Sequence, residues 1–155
     1  MGVEIERKFL VNESKWIKIE KLQGNYYKQG YLLADPNKTI RIRLTDSNGY
    51  LTIKGKTQGA SRPEFEYAIP KEDAQQLLEQ FSIFSLTKIR YRIAFKNKVW
   101  EVDEFLGDNS GLLIAEIELT HETEQFEIPD WVGKEVTGEA KYYNSNLSKH
   151  PYKNW

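Results

Sequence analysis

Apolar and polar residues alternate one for one along stretches 2–10, 26–34, 39–45, 50–56, 63–69, 87–95, 98–105 and 113–120. A period of two places successive side chains on opposite faces of an extended chain, so each stretch predicts a strand with one buried face. Ser47-Asn48-Gly49 and Lys96-Asn97-Lys98 fall between consecutive stretches and read as hairpin turns, which makes neighbouring strands antiparallel. Helical signals are fewer. Ser14 is positioned to cap a helix carrying Trp16, Ile17, Ile19 and Leu22, and Pro70 precedes Lys71–Phe81 with Ala74, Leu77, Leu78 and Phe81 on one stripe. Thr120 is positioned to cap a short turn over His121–Phe126, and 143–149 reads as a last short helix. The chain is therefore mainly β (α+β), with a few covering helices.

The polar members of the alternation are nearly all charged. They read Glu4, Glu6, Lys8; Arg41, Arg43; Lys54, Lys56; Glu64, Glu66; Lys88, Arg90, Arg92; Glu101, Asp103; and Glu116, Glu118. An ordinary half-exposed sheet shows water a mixed set rich in Thr, Ser and Gln. Like charges two residues apart on one strand face repel by on the order of 1 kcal/mol at near-surface screening, so something of opposite sign must lie between them. Taken one at a time, such stretches are usually solvated faces with cross-strand Lys–Glu pairs. Their recurrence in runs of one sign is harder to account for that way; if about eight antiparallel strands close into a barrel, the oily face turns outward beneath the helices or a partner chain and the lumen is charged.

Length and composition narrow the remaining choices. The 155 residues are 39% hydrophobic, enough for one compact domain spanning 1–155. Charged residues make up 29% of the chain but net only −1, which gives no electrostatic case for a nucleic-acid or membrane partner. The absence of cysteine excludes disulfides, zinc–thiolate sites and cysteine nucleophiles. His121 and His150 lack ligand spacing and read as surface residues, and Trp16, Trp100, Trp131 and Trp155 read as packing groups rather than base-stacking platforms. No apolar run approaches the ~20 residues of a membrane helix and no signal pattern opens the chain, so the expectation is a cytoplasmic protein.

Paired carboxylates on strands are hard oxygen ligands suited to Mg²⁺, Mn²⁺ or Ca²⁺. Paired arginines present forked donors that match phosphate oxygens, and lysines add point charge. Together they describe a metal–polyphosphate site, where catalysis needs positioning and charge neutralisation rather than a protein nucleophile.

At these residues the chain resembles the CYTH superfamily, also called triphosphate tunnel metalloenzymes, whose hallmark is an N-terminal E-x-E-x-K, here Glu4-Ile5-Glu6-Arg7-Lys8. The likeness continues in order through Gln29-Gly30-Tyr31, Ile40-Arg41-Ile42-Arg43, Thr52-Ile53-Lys54, Glu64-Phe65-Glu66-Tyr67, Lys88-Ile89-Arg90-Tyr91, Val102-Asp103-Glu104-Phe105 and Ala115-Glu116-Ile117-Glu118, and extends to Trp131–Thr137 and Lys141-Tyr142-Tyr143-Asn144. The resemblance implies an eight-stranded tunnel in which Lys8, Arg41, Arg43, Lys54, Lys88 and Arg90 grip a linear triphosphate. It implies that Glu4, Glu6, Glu116 and Glu118 bind one or two Mg²⁺ or Mn²⁺ ions, with Asp103, Glu64 or Glu66 as further metal or water-orienting groups. It also implies that Tyr31 and Lys54 work as a pair at the scissile phosphate. A lysine crowded by cations loses its proton more readily and can act as a base. The plainer reading makes Lys54 a phosphate ligand and Tyr31 a packed wall.

The short bacterial members this chain looks most like are chiefly inorganic triphosphatases, which implies metal-dependent hydrolysis of inorganic triphosphate to pyrophosphate and phosphate. The alternatives are a class IV-type adenylate cyclase or a hydrolase of an organic triphosphate such as thiamine triphosphate or a nucleoside triphosphate, and, in a different class, a non-catalytic polyphosphate-binding module. Lys56 and Arg92 are extra inner-face cations that would either reach a longer polyphosphate or neutralise spare carboxylates. Outer apolar positions left uncovered would suit a homodimer interface.

Overall fold

The computed structural model describes residues 2–155. Eight strands, β1 (Val3–Val11), β2 (Asn25–Asp35), β3 (Lys38–Leu44), β4 (Gly49–Gly55), β5 (Ser61–Ile69), β6 (Phe84–Phe95), β7 (Lys98–Phe105) and β8 (Leu113–Glu118), begin and end within three residues of the alternating stretches. They pair antiparallel in the order β5-β4-β3-β2-β6-β7-β8-β1, and β1 returns to β5 to close the barrel. β1 is the seam. Its Val3–Ile5 segment pairs with Ser61–Pro63 of β5, while Glu6–Leu10 pairs with Ile114–Glu118 of β8.

A ninth strand, β9 (Val132–Glu135), joins the far end of β1 through Phe9–Glu135 and Val11–Val132. Four residues are too few for alternation to reveal, which is why periodicity did not single it out. The β6–β7 hairpin turns on Lys96 and Asn97, whose φ values of 48° and 64° match the left-handed central residues of the favoured two-residue turn. A bulge between Tyr31 and Leu33 of β2 shifts the register of its pairing with β3, which resumes at Leu33–Ile40.

The predicted helix over Lys71–Phe81 forms with those bounds as α2. Its Ala74 and Leu78 close onto Ile42, with Leu44, Leu51 and Ile69 around them, so it covers β2–β4 from outside. The approach depends on two glycines: a Cβ on Gly30 would sit 2.7 Å from Leu78 Cδ2, and one on Gly49 would sit 2.6 Å from the Ala74 Cβ.

The N-terminal helix differs from expectation. It is one turn, α1 (Glu13–Trp16), capped by Asn12, whose side chain accepts from the Lys15 amide, while Ser14 Oγ donates to Asn12 Oδ1. Asn12 caps the backbone two residues earlier than Ser14 could. Ile17 and Leu22 stay exposed, and only Trp16 is buried, edge-on to Tyr91 and tilted against Trp131. Thr120 is no cap acceptor either: its amide and hydroxyl both donate to Glu124, closing a turn without a helix. The last helix appears as α3 (Asn144–Lys149).

The apolar cores lie outside the barrel wall. Phe9, Trp16, Trp100, Val102, Ile117 and Trp131 form one cluster, and Leu86, Phe105, Ile114, Val136, Tyr142 and Leu147 another beneath the C-terminal segment. Trp100 meets Phe9 edge-on at 5.5 Å and Phe126 at 5.8 Å, pairs worth ~0.5–1.5 kcal/mol each beyond their burial. With oil on the outside under helices and loops, the barrel interior is left to the charges. His121 and His150 are exposed, as expected of surface residues. No helix of the described residues is long and apolar enough to cross a membrane.

Candidate active site

The lumen is a cavity of about 430 Å³ walled almost entirely by polar groups. Six predicted cations line it: Lys8 from β1, Arg41 and Arg43 from β3, Lys54 from β4, and Lys88 and Arg90 from β6. Predicted carboxylates face them: Glu4 and Glu6 from β1, Glu64 and Glu66 from β5, and Glu116 and Glu118 from β8. Tyr31 lines the wall as well, and Arg92 stands at the exposed rim, 2.7 Å from Glu101. Lys56, expected inside, lies beyond the end of β4, exposed and outside the lining. The alternation continues past the last paired residue there, but the pleat that would turn its side chain inward does not.

Charges of opposite sign are matched in detail. Asp103, 1% exposed and not part of the lining, receives Lys88 Nζ at 2.7 Å and a forked Arg90 at 2.7 and 2.8 Å. Glu116 gives one oxygen to Arg90 at 2.8 Å and the other to Lys8 at 3.3 Å. Lys54 sits between Glu4 at 2.8 Å and Glu64 at 3.3 Å, and Arg62 reaches Glu4 at 3.5 Å. Arg41 bonds Thr52 at 3.0 Å and Glu66 at 3.3 Å, yet its buried Nε has no partner among the described residues.

Two carboxylates, Glu6 and Glu118, escape this neutralisation in part. Glu4, Glu6 and Glu118 each bring an oxygen to one point, all within 4.8 Å of one another. Glu118 forms no ion pair among the described residues, and Glu6 meets only Lys8, at 4.0 Å. Burial, followed by the neighbouring Glu116 and Glu4, pushes Glu6 up to about 8. Burial and then Glu101 and Glu4 raise Glu118, while burial and a hydrogen bond shared with Glu4 push Glu64 up to about 7. Burial alone would raise Glu4 and Glu116 too, but Lys54 outweighs it for Glu4, and Lys8 and Arg90 outweigh it for Glu116, so both lie well below the carboxylate range. A convergence of hard oxygens, two of whose carboxyls are raised by burial and by neighbouring carboxylates, fits a divalent cation, which would replace their protons with two positive charges.

Burial, reinforced by Arg90 and Arg43 and opposed by Asp103, brings Lys88 down to about 7. Tyr31 is 4% exposed, and its hydroxyl meets Gln29 Nε2 at 3.5 Å. No hydrogen bond joins it to Lys54 among the described residues, so the structure brings the two into one cavity without joining them as a pair.

The model of the CYTH domain matches residues 2–151 of this chain. The chain belongs to the CYTH domain family. An inorganic triphosphatase of Acetivibrio thermocellus is 49% identical over 156 residues, covering 100% of this chain and 99% of the relative. One from Nitrosomonas europaea is 32% identical over 150 residues, covering 94% of this chain and 96% of the relative. A crystal structure of an inorganic triphosphatase superposes with a TM-score of 0.64 at 28% identity, covering 94% of this chain and 93% of that one.

Within this CYTH barrel several lining residues had drawn no functional reading from the sequence: Arg62, Tyr27, Tyr143 and Asn144. Arg62 was detectable, since it continues the Glu64, Glu66 face by one more step of two, and Tyr27 continues the Gln29, Tyr31 face in the same way. Tyr143 and Asn144 carry no periodic signal. They enter the cavity because α3 folds back over β2 and β6, where Asn144 Oδ1 accepts from both Lys88 Nζ at 2.8 Å and Gln29 Nε2 at 3.1 Å.

Proposed function

We propose that this chain hydrolyses inorganic triphosphate to pyrophosphate and phosphate inside its barrel, using Mg²⁺ or Mn²⁺ held by Glu4, Glu6 and Glu118. The observation that carries this reading is the division of one cavity into a cation-rich wall and a converging carboxylate trio. The unpartnered Arg41 Nε adds to it, because a buried donor costs ~1–3 kcal/mol until an acceptor such as a phosphate oxygen meets it. A bound divalent cation would neutralise phosphate oxygens and acidify water at the trio.

The chain's own residues do the remaining work. Arg41, Arg43 and Arg90, with Lys8 and Lys88, align the triphosphate and offset the charge that spreads over its oxygens. Asp103 and Glu116 act in this proposal as fixed counter-ions that keep Arg90, Lys88 and Lys8 in place, rather than as metal ligands. Lys54 stands where cation wall meets trio, bonded to Glu4 and Glu64. We assign it to the scissile end, with Glu64, whose carboxyl exchanges its proton near neutrality, holding the proton that water gives up as it attacks the terminal phosphorus. Tyr31 presents its hydroxyl to the phosphate beside it.

A cyclase would need a face for adenine. The aromatic residues of the lining are Tyr27, Tyr31 and Tyr143, and two of these are already stacked by cations: Tyr27 by Arg43 and Arg90, Tyr143 by Lys8 and Arg62. The deciding experiment is ³¹P NMR of inorganic triphosphate and, separately, ATP incubated with the protein and Mg²⁺ or Mn²⁺. Equal pyrophosphate and phosphate from triphosphate, with ATP largely intact, supports the proposal. Cyclic AMP and pyrophosphate from ATP would replace it with a cyclase, and no product from either would leave a hydrolase of another organic triphosphate or a binding module.

A further inference from the structure

Among the lysines and arginines that line the cavity in the described residues, Arg43 is the one without an ion-paired carboxylate; each of the others reaches an Asp or Glu. The groups it touches, Gln29 and Tyr27, are neutral. Arg43 Nε donates to Gln29 Oε1 at 3.1 Å, and its Cζ stands 4.8 Å from the centroid of the Tyr27 ring. The same ring lies 5.4 Å from the Arg90 Cζ.

The arrangement follows from strand order. β2 runs between β3, which carries Arg43, and β6, which carries Arg90. Gln29 is paired with Arg43, and Tyr27 with Lys88, so the inward face of β2 divides the cations of its neighbours. A carboxylate at Tyr27 would settle the repulsion between the two arginines by cancelling their charge, and an aliphatic residue would leave it unsettled. An aromatic face attracts both guanidiniums through its quadrupole while leaving their net charge available to an anion. With Nε occupied by Gln29, the two terminal nitrogens of Arg43 remain as a fork for phosphate oxygens.

We infer that Tyr27 is a positioning residue for the substrate: its ring holds the Arg43 and Arg90 guanidiniums apart and oriented, and keeps Arg43 as an unquenched receptor for one phosphoryl group. This rests on the triphosphatase reading above and adds a residue to it. Gln29, 0% exposed, is the other half of the cradle, and its amide links Arg43 to Asn144 and thence to Lys88.

The test compares Tyr27→Phe with Tyr27→Leu, and with Tyr27→Met should the leucine variant not fold. Calorimetric titration of metal-free protein with inorganic triphosphate gives Kd, and steady-state hydrolysis with Mg²⁺ gives KM and kcat. Loss of two cation–π contacts is expected to raise Kd and KM by roughly 5- to 30-fold in the leucine variant, with kcat within about twofold of the parent and Tyr27→Phe close to it throughout. The inference is overturned if the leucine or methionine variant binds triphosphate as tightly as the parent. It is equally overturned if phenylalanine is as damaging as leucine, or if kcat falls while Kd stays put. A parent protein that binds triphosphate without hydrolysing it would remove the proposed function, yet the Kd comparison would still decide the role of Tyr27.

Discussion

Asp103 holds two cations at once, and its removal should be felt in stability more than in metal binding. Breaking a buried pair typically costs ~3–5 kcal/mol because the partner charge is left uncompensated. Here the lower end applies, since Arg90 keeps Glu116 and Lys88 sheds its proton easily at about 7. Asp103→Ala should therefore lower Tm by on the order of 10 °C, read by calorimetry, with metal affinity little changed. Glu118 is the converse case. It has no ion pair to lose among the described residues, so Glu118→Gln should fold with near-parental Tm while activity falls by ~100-fold or more, as even residues supporting metal ligands cost 10–100-fold. A double change at Glu116 and Glu118 would confuse the two roles, because Glu116 balances Lys8 and Arg90.

Among the elements, the β6–β7 hairpin carries a removable cost. Lys96 and Asn97 both take positive φ, and lysine has no side chain that compensates for it. Replacing the pair by Asn-Gly should raise stability by about 1 kcal/mol, seen as a higher urea midpoint with an unchanged slope. At the opposite extreme, α2 has no room to spare. Gly30→Val should cost ~1–3 kcal/mol, because the new side chain collides with Leu78 and Ser82, and a falling urea midpoint would report it.

For the whole molecule, the trio couples folding, metal and pH. Glu6, up to about 8, and Glu64, up to about 7, bind protons in the folded state that they release near 4.5 when unfolded. Between those values the folded chain carries more protons than the unfolded one, so the stability of the metal-free protein falls as pH rises from about 4.5 to 8. Lys88, down to about 7 from 10.5, acts with the opposite sign above 7, because there the unfolded chain holds the extra proton. Metal-free Tm should thus pass through a minimum near pH 7–8, and Mg²⁺ or Mn²⁺ should lift it most on the alkaline side, where no proton must be expelled. Apparent metal affinity should fall about tenfold per pH unit just below 8, with one proton released per ion bound. A flat calorimetric Tm profile, or metal binding without proton release, would contradict this.

Strand positions, their faces and the family were all legible in the chain, because alternation is a local property that survives without knowledge of neighbours: Glu4-Ile5-Glu6 points its carboxylates to one side whatever it pairs with. The inward residues of β1, β3, β6 and β8 followed directly, as did α2. What each charge does once inside was not legible. Glu116 and Glu118 are equivalent in sequence, two steps apart on one strand. Closure of the barrel sets one against Lys8 and Arg90 and leaves the other facing Glu4 and Glu6. Asp103 is drawn under Lys88 and Arg90, and Asn144 arrives from a helix more than fifty residues away from Lys88 in the chain. β9, the seam in β1 and the Tyr27 cradle likewise depend on which strands become neighbours. Alternation along a strand decides which way a side chain points; only tertiary closure decides what it meets, because ion pairing depends on distances across the barrel that no local pattern encodes.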